Sequence, residues 1–201
     1  MAGKILVSTA YLPPVTYFSL IAGAKEVFVE REESYLKQTY RNRCCILSAH
    51  GLQSLSIPVY RGSQHKTVIR DISIDYSKRW QQVHLGALTS SYKASPYFDF
   101  YFEIIEKIIS QNHKFLLDLN LELIEAILKI LNIKIKVSHT SVFEPVNNRD
   151  YDYRYTISPK LRSSVKVKEY FQVFDAGQGF VPNLSIIDLI LNMGPDSINF
   201  L

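Results

Sequence analysis

Seven consecutive residues, Lys37, Gln38, Thr39, Tyr40, Arg41, Asn42 and Arg43, bring together three cations, two amide side chains and an aromatic hydroxyl. Arginine presents a rigid fork of N–H donors that matches carboxylate or phosphate, and tyrosine offers a flat face for a sugar or base together with a hydroxyl. The chemistry such a set could do is to hold an anionic, ring-bearing small molecule. In an extended conformation Arg41 and Arg43 would share one face, with Tyr40 and Asn42 on the other. Taken locally, the same pattern also describes a solvated edge strand with ordinary surface charge. A second segment, DYDYRYTISPK at residues 150–160, repeats the combination through Tyr153, Arg154, Tyr155 and Lys160. The two segments either converge on one ligand, or the second is a tyrosine-rich loop packed on a sheet edge.

His84 lies in a strongly periodic helical stretch, and its near-neutral pKa would suit a general acid or base. The plainer alternative is a core histidine bonded to backbone or to Tyr92. His50, His65, His113 and His139 lack spaced partners, so no metal site is legible, and no motif names a cofactor. The acidic pairs Glu32-Glu33 and Asp150/Asp152 are expected to face solvent, and Asn183 and Ser185 to cap a helix. Cys44 and Cys45, the only cysteines, are neighbours whose side chains would point to opposite faces of a strand, which fits a reducing compartment.

The elements that must position these residues are legible from periodicity and punctuation. Residues 4–10 read as a strand interior to a sheet, stopped by Pro13-Pro14. A helix over 15–22 with Gly23 behind it and a strand over 27–30 complete a βαβ opening, whose ligand site belongs at the carboxyl ends of the strands. Residues 44–49 and 52–59 around His50-Gly51 predict a hairpin, and residues 67–74 a further strand. Helices are expected over 77–91, with Trp80, Val83, His84, Ala87, Leu88 and Ser91 inward, and over 96–109, with Phe100, Ile104 and Ile108 inward and Ser95 as N-cap. A third is expected over 120–131, with Leu121, Ile124, Leu128 and Leu131 in register. Strands over 134–137 and 170–174, a turn at Gly177 and Gly179, and an amphipathic helix over 183–192 close the chain. The expected fold class is α/β, or the related α+β: a single domain over residues 1–201, with a mixed β-sheet, a hairpin insertion and a layer of helices. The pocket should form between the Tyr11 loop, residues 37–43 and residues 151–160.

The composition bounds the partners. A chain of 201 residues with 47% hydrophobic and 21% charged residues reads as an ordinary globular protein, and its net charge of +4 falls short of the dense basic stripe of a nucleic-acid binder. A phosphorylated small molecule would suit that charge. The N-terminus has too short an apolar run for a signal segment or a membrane span, so a cytoplasmic protein is expected.

Four motifs carry a resemblance: YLPPVTYF at 11–18, KQTYRNRCCI at 37–46, the run of Trp80, His84, Tyr92 and SPYF at 95–98, and FVPNLSIIDLILNMGP at 180–195. Together, in this order, they resemble the WbqC-like family across essentially the whole chain, in its compact branch with a YRNRC-type segment. Pro14 and Val15 depart from the Trp and small residue common in that opening. The resemblance implies a role in surface-polysaccharide or O-antigen biosynthesis, as a transferase forming an amide with an aminoacyl or acyl group on a nucleotide-activated amino sugar. It further implies that Arg41, Arg43 and Arg154 hold phosphate or carboxylate, that Tyr11, Tyr17 and Tyr40 shape the pocket, and that His84 accepts the proton of an attacking amine. A homo-oligomer or a partner in a biosynthetic complex fits the same picture. Two other readings stand beside it: a non-catalytic binding or scaffold protein of the same pathway, and a nucleotidyltransferase-like enzyme with phosphates at the first helix N-terminus. The latter lacks the paired-histidine motif expected there.

Overall fold

The structure is a computed structural model that describes residues 2–60, 67–145, 151–161, 166–174, 177 and 179–201. It opens with the expected crossover: β1 (Ala2–Ser8), α1 (Val15–Ala22) and β2 (Ala24–Glu30), with β1 and β2 parallel. Alternation puts Ile5, Val7, Val27 and Val29 on the buried face, while Leu6 and Phe28, directly paired, turn to the other. A later strand, here β7 (Lys136–His139), adds to the far edge of β2 in parallel. On the other side, Leu6 N–H donates to the Tyr151 carbonyl and Tyr153 N–H to the Leu6 carbonyl, each at 2.8 Å. β1 is thus an edge strand of a three-stranded sheet with β2 in the middle, and not the interior strand its apolar run predicts; among the described residues its outer side carries only the isolated bridge between Leu6 and Asp152.

Between β2 and β7 come the hairpin β3 (Arg43–Ser48) and β4 (Gly51–Ser56), the short pair β5 (Val59–Tyr60) and β6 (Ser73–Ile74), and helices α2 (Trp80–Tyr92), α3 (Phe98–Ile109) and α4 (Leu116–Ile130). Gly51 makes the hairpin turn at φ 102°, where a side chain would be strained. The chain closes with α5 (Ile186–Met193) and a 3₁₀ turn over Gly194–Phe200. The fold class is α/β. Its parallel and antiparallel pairings are divided among three small sheets.

The segment before α5 sews the opening loop in place. Ile186 N–H donates to the Pro13 carbonyl at 2.8 Å, Val15 N–H to Leu184 at 2.9 Å, and the Ser185 hydroxyl to Leu12 at 2.9 Å. Ser185 also caps its own helix, and Asn183 Oδ1 accepts from Thr16 N–H and so caps α1 instead.

Several expectations need correction. Residues 67–74 are not one strand: Ile69 and Ile72, both fully buried, are three apart because Ile69–Asp71 is a 3₁₀ turn. On α3 the inward residues are Phe98, Phe102, Ile105, Ile108 and Ile109, so Ile108 is buried as expected, while Phe100 is 71% exposed and Ile104 40%. FDFYFEIIEKII carries two apolar stripes, and only packing against α4 and α5 selects one. Val83 likewise points outward, α4 begins at Leu116, and Tyr97 rather than Ser95 occupies the N-cap of α3 without a side-chain bond. Residues 170–174 form no strand. No described helix is long and apolar enough to cross a membrane.

Candidate functional site

Ser8 and Glu30 are the last residues of β1 and β2, so their side chains stand where ligands of parallel sheets bind. Both basic-aromatic segments reach this point. Arg41 arrives from the turn before β3. Its Nε and Nη2 donate to the two carboxylate oxygens of Glu33 at 2.9 and 2.6 Å, and Nη2 donates also to Ser8 Oγ at 2.7 Å. The Ser8 hydroxyl passes the chain on by donating to the Arg154 carbonyl at 2.9 Å. Arg154 forks onto Asp152 at 2.9 and 2.6 Å, while its Nη1 donates to Glu30 Oε2 at 2.8 Å and the Glu144 carbonyl at 3.0 Å. Glu30 Oε1 accepts from Glu32 N–H and the Thr140 hydroxyl. Two guanidiniums and three carboxylates thus share one buried cluster, with Arg41 3%, Arg154 2% and Glu30 and Glu33 0% exposed.

This placement corrects the expectation for the acidic residues. Glu33 is buried and the Asp152 side chain is 4% exposed, because each neutralises an arginine that the fold draws inward. Asp150 lies outside the described residues. Arg41 and Arg43 do not share a face either. Residues 37–42 are turn rather than strand, and Arg43 Nε instead donates to Ser56 Oγ across the hairpin.

The tyrosines close round the arginines. Tyr17 donates its hydroxyl to the Ser8 carbonyl at 3.0 Å, and burial followed by the Glu33 charge pushes its phenol pKa up. Burial, then the nearby thiols, raises Tyr40 to about 12. Tyr17, Tyr40, Arg41, Tyr153 and Arg154, with Ser8, Thr9, Ala10 and Ile157, line a cavity of ≈ 10 Å³, about the space of one water. Asn120 on α4 ties the helical layer to it, donating to Thr9 Oγ1 at 3.1 Å and to the Arg41 carbonyl at 2.8 Å. The buried Asn120 Oδ1 has no hydrogen-bond partner among the described residues, and no hydrogen bond there reaches Arg41 Nη1.

The remaining predicted residues lie elsewhere. His84 is 2% exposed, held between the Tyr11 and Trp80 rings, with Nδ1 2.9 Å from the Tyr11 hydroxyl; burial lowers its pKa from 6.5 to about 4. It is therefore neutral at pH 7, and neither it nor Tyr11 lines the cavity. Tyr92 is buried against Leu47 N–H and Asp188. Asn42 braces the hairpin through the Ile57 carbonyl, and Lys37, Gln38 and Lys160 are exposed. Sequence reasoning missed Ser8, Thr9, Glu30, Glu33 and Asn120. Only Ser8, Thr9 and Glu30 carried a signal, as polar residues ending apolar strands.

A larger cleft of ≈ 370 Å³ opens on the other face of the sheet. Its walls include Lys4, Leu6, Phe28, Glu30, Thr140, Val142, Glu144 and Tyr151, and Glu30 is bonded to Arg154, which lines the smaller cavity. Among the described residues no group of three or more His, Cys, Asp or Glu could hold a metal ion. The α1 N-terminus is already occupied: Pro14 has no N–H, and the N–H groups of Val15, Thr16 and Tyr17 donate to Leu184, Asn183 and Pro14.

Comparison with known proteins agrees with the family read from the motifs, the first three of which fall within the matched residues. The chain is similar to Uncharacterized protein Rv1507c of Mycobacterium tuberculosis (strain ATCC 25618 / H37Rv), 27% identical over 225 residues that cover 98% of this chain and 96% of that protein. No solved structure matches. Residues 9–166, which contain both arginine segments and the elements between them, match the WbqC-like protein family, and the chain belongs to that family.

Proposed function

We propose that the protein is a transferase of surface-polysaccharide biosynthesis that forms an amide on the amine of an activated amino sugar. The anionic part of that substrate would bind at the strand ends around Arg41 and Arg154. The observation that carries this reading is convergence: segments 110 residues apart deliver Arg41, Arg154, Tyr40 and Tyr153 to one cavity at the carboxyl end of β1. Buried ion pairs are a poor way to gain stability, since well-packed apolar residues commonly do as well or better. A cluster of this size at the ligand position of a parallel sheet is better explained by anion recognition. Arg41, which lines that cavity and whose Nη1 has no hydrogen bond among the described residues, supplies the first free donor. A cavity of ≈ 10 Å³ holds no phosphate, so entry requires the exposed Tyr155 turn, whose ring lies 5.6 Å from the Arg41 guanidinium, to move aside.

The placement of His84 favours a second reading, a binding protein of the same pathway without turnover. A base neutral at pH 7 but sealed behind Tyr11 has no path to a substrate amine in this state. Calorimetric titration with nucleotide sugars separates the outcomes. The transferase reading expects binding, weakened at least tenfold by Arg41→Lys, which keeps the charge opposite Glu33 but loses the fork. It also expects amide formation when an acyl or aminoacyl donor is added. Binding without transfer for any donor class leaves the second reading; undiminished binding by folded Arg41→Lys removes the site.

A further inference from the structure

The outer face of the parallel sheet carries an apolar patch of unusual shape. Read across the strands, one row runs Asp152, Leu6, Phe28, Ser138, because Leu6 pairs with Asp152 on one side and Phe28 on the other, and Phe28 with Ser138. Along the strands the same-face neighbours are Lys4 on β1 and Glu26 and Glu30 on β2. Two apolar side chains are thus bounded by polar ones on every side. Both faces of a parallel sheet are normally covered by helices, yet this patch is too small to dock one. Instead the chain leaves β7 at one edge and returns at Tyr151 beyond the other, and Thr140, Ser141, Val142 and Glu144 stand over the outer face, leaving the ≈ 370 Å³ cleft.

We infer that this cleft is a carbohydrate subsite that takes one pyranose ring, with the ring's C–H face on Leu6 and Phe28 and its hydroxyls toward Ser141 and Thr140. The volume lies in the ordinary range for small-ligand sites, which are mostly preformed. Two neighbouring side chains on strands about 4.8 Å apart offer the footprint of a single ring. An extended acyl chain would need a longer apolar run than the row provides. Of the cations here, Arg154, behind Glu30, is already bonded to two carboxylates, and Lys4 on the cleft wall lies over the Tyr151 ring, so no guanidinium fork is offered to a phosphate. Tyr151, with Lys4 Nζ 5.1 Å from its ring, adds an aromatic wall. This deepens the proposed function and rests on it for the identity of the ring as the sugar of an activated amino sugar. Glu30, on the cleft wall and bonded to Arg154, would then place the sugar next to the arginine cluster that holds its anionic group.

The test is saturation-transfer NMR on the full chain with free glucosamine, N-acetylglucosamine and N-acetylgalactosamine. Transfer should appear on the ring C–H protons and fall to background in Phe28→Ala and in Val142→Trp. Val142 is 71% exposed, so the second variant fills the cleft without touching the core. No transfer to any of the three sugars, or a signal that persists in folded Val142→Trp, overturns the inference. Arg41→Lys should weaken nucleotide-sugar binding while leaving the free-sugar signal intact. A lost sugar signal with Arg41-dependent nucleotide binding sinks the cleft alone, and the converse sinks the arginine site alone.

Discussion

Two buried polar clusters in this protein solve the same problem in opposite ways. At the strand ends, Glu33 and Asp152 are each met by a guanidinium fork and Glu30 by one N–H of Arg154, so charge is buried against charge. Under α5, Asp188 is 1% exposed and meets only neutral donors: Oδ2 accepts from the Tyr170 hydroxyl at 2.7 Å and Gln172 Nε2 at 2.9 Å, with Tyr92 beside them. Burial there dominates and raises the Asp188 pKa from 3.8 to about 6, although those hydrogen bonds pull it back. Compensation by a cation permits ionisation in the interior, whereas compensation by dipoles alone leaves the carboxyl inclined to keep its proton. The first arrangement pairs each buried carboxylate with a cation; the second holds its carboxyl by hydrogen bonds from neutral groups.

The sharpest way to break the contrast is to remove one cation. Arg41→Ala leaves Glu33 charged and buried, and should lower unfolding stability by about 3–5 kcal/mol in a denaturant titration. Arg41 is therefore no freely removable surface residue. Replacing the pair together, Arg41→Met with Glu33→Leu, should cost far less than the single change. An equal cost would mean that the pair is ordinary packing rather than compensated charge.

A second, smaller effect comes from pH. Because the folded pKa of Asp188 exceeds its ordinary value, its contribution is full below about pH 4 and lost as pH rises through about 6. His84 has the opposite sign: its folded pKa is depressed, so its contribution is full above 6.5 and lost as pH falls through about 4. Each shift corresponds to about 3 kcal/mol, and over the shared window they nearly cancel. The unaltered protein should thus show little stability change from these groups between pH 4 and 6. Asp188→Asn should expose the His84 term as a loss of stability on acidification, read from denaturant midpoints against pH. A flat profile in that variant would remove the assignment of opposing buried groups.

The smallest expected effect is at the Asp188 carboxyl. Tyr170→Phe removes one donor from Asp188 and should cost about 1–2 kcal/mol, with the loss greater at pH 7 than at pH 4 because the ionised carboxyl needs the donor more. A loss independent of pH would show that the hydroxyl matters for packing alone.

Much of the architecture was readable from local chemistry. Pro13-Pro14 and Gly23 bracket α1 at its observed limits, and His50-Gly51 marks the hairpin turn, because backbone restrictions act within a few residues. The α3 stripe misled because two apolar faces on one helix are equivalent until a neighbour covers one. The site was legible as two basic-aromatic segments expected to meet, but not as an ion cluster. Nothing around Glu33 distinguishes a surface carboxylate from one buried beneath Arg41.

The sequence by itself therefore determined the βαβ opening, the hairpin, the helices, the family and the two segments that meet at the strand ends. These follow from periodicity, turn chemistry and residue type, all properties of short stretches. Only the tertiary structure decided which arginines face inward, which carboxylates neutralise them, that His84 is sealed against Tyr11, and that the outer sheet face holds a cleft. Those outcomes depend on pairs far apart in the chain, such as Glu30 with Arg154 and Thr9 with Asn120, whose desolvation and hydrogen bonding are settled only when the fold brings them into contact.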